Sequence, residues 1–155
     1  WLQIRNVFSN GLGFLFMNNT LYTTIFTGNA LNTYHVKDDN IISMDIIRKS
    51  EDINKLEVLV ITENGLGKKS PIKDYKIQKR SGSGIKTVKI SPKTGRIMAM
   101  YILDNSEESD LVIISKKGQT IRTSLNAIST LGRATQGVRL MRLDEGDKVA
   151  SATIL

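Results

Sequence analysis

Seven side chains could bind phosphate: Lys68, Lys69, Lys79, Arg80, Ser83, Arg122 and Arg133. Each sits in or near a glycine-bearing turn. Phosphate contacts use flexible lysines, the forked donors of arginine, and backbone N–H groups that glycine loops expose. For any one residue the competing reading is a cation that solvates an exposed strand face. As a cluster the seven point to an anionic polymer, most often nucleic acid.

Other chemistries fare worse. The chain has no cysteine, which excludes disulfides, thiolate zinc sites and a cysteine nucleophile. Its one histidine, His35, has Asp38 and Asp39 nearby, but in a turn and not at metal or base spacing. A small hydrolase would have to be centred there, and His35→Ala would have to abolish its activity. Gly82-Ser83-Gly84-Ile85-Lys86-Thr87 resembles the end of a phosphate-binding loop, but Ile85 separates glycine from lysine and a strand follows. Gly65-Leu66-Gly67 reads as a hairpin turn. Asp144, Glu145 and Asp147 form one acidic turn, short of the oxygen ligands calcium needs. Tyr75, between Lys73 and Lys76, is the one aromatic placed to stack on a single strand, and a place in the core suits it better. No cofactor and no metal are expected.

Composition supports the anionic partner. The chain has 155 residues, 40% apolar and 24% charged, with a net charge of +7. Residues 1–54 carry −1, 55–106 carry +7 and 107–155 carry +1, so the middle third holds the excess. No apolar run approaches the roughly 18 residues of a membrane helix, so no membrane partner is expected. No basic leader precedes an apolar run, and the absence of an initiator Met suggests that the chain starts inside a longer protein.

The elements that position these cations form a repeat. Gly65 falls on Gly118, Lys69 on Arg122, Arg80 on Arg133 and Gly84 on Gly137, each 53 residues on. A more worn copy opens the chain: Asn10-Gly11-Leu12-Gly13 matches Asn64-Gly65-Leu66-Gly67, and Met44 matches Met98, at an offset of 54. On that reading residues 1–155 are one segment of three units, about 1–54, 55–107 and 108–155. Val58-Leu59-Val60-Ile61 and Leu111-Val112-Ile113-Ile114 are β-branched runs ended by glycine turns, and Val138 to Leu143 alternates apolar and basic residues except at one step. Four short strands per unit is the cadence of a propeller blade. The expected fold is all-β, three four-stranded blades of a β-propeller that needs more blades to close.

The last unit, Gly132 to Ser151, reads GRATQGVRLMRLDEGDKVAS and closely resembles the final blade in the C-terminal domain of the DNA gyrase A subunit. The middle unit, ENGLGKKSPIKDYKIQKRSGSG, resembles the blade before it. The resemblance is strong over about 58–155 and weak over 1–57. It implies a six-bladed β-pinwheel that binds and wraps duplex DNA around its rim in support of negative supercoiling. The partners it implies are the gyrase B subunit together with the rest of the gyrase A subunit, in the bacterial cytoplasm on the nucleoid. Blades of this kind occur in topoisomerase IV too, but TLGRATQGVRLMRL is closer to gyrase. The family's box, Q-R-R-G-G-K-G, is not intact: Gln78 to Gly84 echoes it, with Ser81 and Ser83 replacing Gly and Lys. The full box is expected upstream of Trp1. The family's catalytic tyrosine follows an arginine, whereas Tyr22, Tyr34, Tyr75 and Tyr101 follow Leu21, Thr33, Asp74 and Met100. The resemblance therefore implies a non-catalytic part of an ATP-dependent type IIA topoisomerase. The rival class is a protein-interaction propeller whose basic charge is incidental.

Three further expectations follow. Phe14-Leu15-Phe16 stands opposite Lys68-Lys69-Ser70, which would make the first unit the weaker DNA contact. Gly84 and Gly137 should need positive φ. The end faces, with Phe8, Phe14, Phe16, Tyr22 and Phe26 at one end and Ala150 to Leu155 at the other, should be apolar and promote association as an open arc or a closed dimer.

Overall fold

The computed structural model describes residues 2–4, 10–17, 20–27, 32–34, 41–48, 51–77 and 85–155. Among them the chain is all β apart from three short 3-10 turns. β1 (Leu2–Ile4) is followed by three sets of four strands. The first set is β2 (Asn10–Met17), β3 (Thr20–Thr27), β4 (Asn32–Tyr34) and β5 (Ile41–Arg48). The second is β6 (Leu56–Thr62), β7 (Leu66–Pro71), β8 (Ile85–Lys86) and β9 (Ile97–Asp104). The third is β10 (Asp110–Ser115), β11 (Thr120–Ser124), β12 (Val138–Arg139) and β13 (Val149–Ile154).

Within each set the first two strands form an antiparallel hairpin and the fourth pairs with the first. The third strand crosses to the sheet of the preceding set. β8 joins β3, β12 joins β7, and β4 pairs with β1. Beside the two-stranded β1-β4 sheet, the sheets are therefore β5-β2-β3-β8, β9-β6-β7-β12 and β13-β10-β11, so each four-stranded sheet takes three strands from one repeat and its edge strand from the next. The expected third strand, 138–143, is also shorter than its pattern suggested. Leu140 N–H and Met141 N–H both donate to the Gly65 carbonyl, at 2.9 and 3.0 Å, and two donors on one acceptor end the ladder. Leu140–Met141 is the step at which the apolar–basic alternation breaks.

Side chains alternate across a strand, so a strand that is buried from end to end must have both faces covered. β6 is buried along its whole length. Leu56, Val58 and Val60 face a core with Ile47, Ile72, Tyr75, Val88, Ile97 and Met100. Leu59 and Ile61 face a second core with Leu103, Leu111, Ile113, Leu125, Ile128, Met141 and Val149. Sheet thus stacks on sheet, with the middle sheet between two neighbours. The corresponding outward face of β10 is open: Val112 is half-buried and Ile114 is 39% exposed. The Arg122–Asp110 ion pair accompanies Ile114 there, and β11 has no strand on its outer edge among the described residues. The aromatic side chains expected at the other end lie outside the described residues.

Strand register corrects the offset of 54. The first hairpin pairs Phe16 with Leu21, where the second pairs Ile61 with Gly67 around the Asn64-Gly65 turn. The β3–β8 pairing of Thr20 with Lys86 matches that of Leu66 with Arg139. Asn10 to Gly13 therefore lies inside β2, the counterpart of β6, and not in a turn. Phe14 and Phe16 match the apolar strand β6, and the segment opposite Lys68 to Ser70 lies in β3.

The exchanged strand is seated on glycine. Gly137 has φ +83°, and a Cβ there would stand 2.6 Å from the Gly67 carbonyl oxygen. Gly118 has φ +86° in open space. Gly137→Ala combines a left-handed penalty with a backbone clash and should cost about 3 kcal/mol, against about 1 kcal/mol for Gly118→Ala. Equal shifts in urea midpoint would mean that the seam is not tightly packed. Gly84 lies outside the described residues.

Candidate nucleic-acid interface

The sheets converge on one side. Ser43 Oγ donates to Met100 O (3.3 Å), Ile102 N–H donates to Asp45 Oδ2 (3.2 Å) and the Tyr101 hydroxyl donates to Ala152 O. These contacts join β5, β9 and β13, and residues 42–43, 98–101 and 150–152 line a shallow cleft there. β8 and β12 lie at the opposite edges of their sheets. The exchanged strands therefore form the outer rim.

That rim is basic. Lys86 on β8 and Arg139 on β12 are both exposed, as are Lys89 and Arg142 three residues on. Each pair is separated by the repeat offset of 53. A two-residue edge strand leaves long cations free to reach outward, and none of these four is in an ion pair among the described residues. Sequence reasoning passed over all four, although the repeat offset was enough to find them.

The seven expected residues part company. Lys79, Arg80 and Ser83 lie in 78–84, outside the described residues. Arg122 is exposed and holds Asp110 at 2.6 Å on the open face. Arg133 is half-buried, with its guanidinium 5.6 Å from the centroid of the Tyr75 ring. Tyr75 is thereby covered, so it is not free to stack on a base, and burial pushes its phenol up to about 12.

Lys68 and Lys69 require correction as accessible cations. They are 0% and 6% exposed. Both lie on β7, an interior strand whose outer edge is covered by residues 129–139 of the next unit. Lys69 N–H donates to Ser129 O (3.0 Å), Leu131 N–H donates to Lys69 O (2.8 Å), and β12 closes on Leu66 and Gly67. Under that cover Lys69 pairs with Glu57 at 3.1 Å, and Thr130 Oγ1 donates to Glu57 at 2.8 Å. Lys68 Nζ donates to the carbonyls of Gly132 and Arg133 and to Thr135 Oγ1 (3.0 Å). Three N–H donors thus meet three acceptors with no carboxylate.

Burial, and secondly the Arg133 charge, pull Lys68 from 10.5 down to about 8. Between those values the unfolded chain holds a proton that the folded chain has released. Stability from this group therefore rises with pH across that window and is lost as pH falls through 8. Unfolded in urea at about pH 7.5 and about pH 10, the unaltered chain should gain on Lys68→Met at the higher pH. A constant gap would mean that the lysine is not shifted.

The family described as DNA gyrase C-terminal domain, beta-propeller, matches residues 56–104 and 109–155. The DNA gyrase A subunit of Staphylococcus epidermidis is 40% identical over 114 residues, which are 73% of this chain and 12% of that protein. The same identity and coverage hold for its counterpart in Staphylococcus aureus. The match thus spans about an eighth of those relatives' length. Among solved structures, a DNA topoisomerase IV C-terminal domain superposes with TM-score 0.76 at 20% identity, covering 94% of this chain and 47% of that one. A DNA gyrase A C-terminal domain gives 0.75 at 19%, covering 96% and 52%. At those identities the superpositions show the fold alone. Since the family match takes in the second and third units almost end to end, more than half of the chain, this protein belongs to the DNA gyrase C-terminal domain β-propeller family.

Proposed function

We propose that this chain is a three-repeat segment of a duplex-DNA-binding propeller that bends and wraps DNA along its outer rim. One observation carries the reading: exposed cations, in no ion pair among the described residues, recur at equivalent places on and just beyond the outer-edge strands of successive repeats, Lys86 with Arg139 and Lys89 with Arg142. Contacts to phosphate position a duplex without reading its sequence, so binding is sequence-independent. Bending 20–30 base pairs costs on the order of 1–6 kcal/mol, and contacts distributed over successive sheets can offset that cost. In the longer protein the segment supports negative supercoiling. It acts beside a gyrase B subunit, within a gyrase A-type subunit, on the bacterial nucleoid, as a non-catalytic part of an ATP-dependent enzyme. The 40% identity to gyrase subunits favours that assignment over topoisomerase IV.

Electrophoretic shifts with random-sequence duplexes of increasing length test it. Affinity should rise with length until the rim is filled, ignore sequence, and fall steeply with salt. Weak, salt-insensitive binding would favour the protein-interaction propeller.

A further inference from the structure

Two cations, Lys68 and Arg133, meet at the loop 132–135. Lys68 and Arg133 lie close enough for one charge to depress the other's proton affinity, and neither is in an ion pair among the described residues. Every acceptor of the Lys68 ammonium belongs to this loop, though the lysine itself comes from the preceding repeat. Tyr75, also from the preceding repeat, is buried beneath the Arg133 guanidinium. The loop is tied down further where Lys89 N–H donates to Thr135 O at 3.1 Å. Two residues of one repeat therefore fix the backbone and the side chain of an arginine carried by the next.

We propose that Lys68 and Tyr75 are positioning residues that seat Arg133 to receive one DNA phosphate, Lys68 by holding the loop backbone and Tyr75 by stacking under the guanidinium. The assignment rests on the duplex-binding reading above. An ordered guanidinium loses less side-chain freedom on meeting phosphate than one free in solvent, so pre-organisation appears as affinity. A guanidinium held over a ring keeps its charge and can still offer N–H donors to a phosphate. Lys68, being enclosed, makes no phosphate contact of its own. The arrangement also makes affinity depend on correct docking of the two repeats.

A double-mutant cycle on duplex affinity tests this, using the 155-residue chain and thermal melts to confirm folding. Lys68→Met, Tyr75→Leu and Arg133→Ala should each weaken binding roughly three- to tenfold and flatten the salt slope by about 0.9, the loss of one phosphate contact. In the Arg133→Ala background, Lys68→Met and Tyr75→Leu should change affinity less than about twofold. Tyr75→Phe, which keeps the ring, should bind as the unaltered chain does. Where Lys68→Met fails to fold, Thr135→Val removes one Lys68 acceptor and should show the same dependence on Arg133. Equal losses in both backgrounds, or no loss in either, would overturn the assignment. Failure of the unaltered chain to bind duplex would overturn the DNA reading itself, and the two failures are thereby told apart.

Discussion

Glu57→Gln should destabilise the fold by about 3 kcal/mol, whereas Asp110→Asn should cost under about 1 kcal/mol. The two acids are repeat counterparts, and so are their partners, Lys69 and Arg122. The side chains of the Lys69–Glu57 pair are 8% and 7% exposed, those of Arg122–Asp110 66% and 30%. The difference is the cover: residues 129–131 lie over the first pair, and no described strand lies over the second. Removing one charge from an enclosed pair strands the other in a poor solvent, while water replaces a lost partner at the surface. Converting both enclosed residues to apolar ones, Glu57→Leu with Lys69→Met, should cost less than either single change. Urea midpoints of the five variants settle it. Equal costs at the two pairs would mean that the neighbouring repeat does not seal the first.

Replacing Lys86, Lys89, Arg139 and Arg142 together with Ala should flatten the slope of log K against log salt by about 3.6, at about 0.9 per phosphate contact. Stability should change little, because exposed cations away from special features usually matter by less than about 0.5 kcal/mol each. The effect should be the same for every duplex sequence. Lys68→Ala and Lys69→Ala, by contrast, should act first on folding, since both lysines are enclosed. A rim variant that keeps the full slope would remove these four from the interface.

Much of this architecture was legible in the sequence. The offset of 53 places β6 on β10 and β7 on β11, and it also pairs Lys86 with Arg139. The twelve-residue spacing from Glu57 to Lys69 recurs from Asp110 to Arg122, which marks a cross-strand pair. Three things were not legible. A four-residue identity, Asn10 to Gly13, outweighed the apolar run that follows it, although the run and not the glycines decides where a strand lies. Strand exchange has no local signature: Val138-Arg139 pairs as well with a neighbour's edge as with its own, and only the packed whole chooses. Adjacent lysines on a strand read as exposed because lysine is seldom enclosed. Lys68 and Lys69 are exceptions because the next repeat supplies three acceptors for one and covers the Glu57 pair of the other.

The absence of cysteine makes a direct test simple. Single cysteines in place of Lys86, Lys89, Arg139 and Arg142, each carrying a short photoreactive group, report which edge of the propeller touches DNA. Ser151→Cys, exposed on the inner strand β13, serves as the control. The account requires crosslinks to duplex DNA from all four rim positions, weakened by salt, and none from position 151. Crosslinks from position 151, or silence at the rim under conditions where the chain binds duplex, would contradict it.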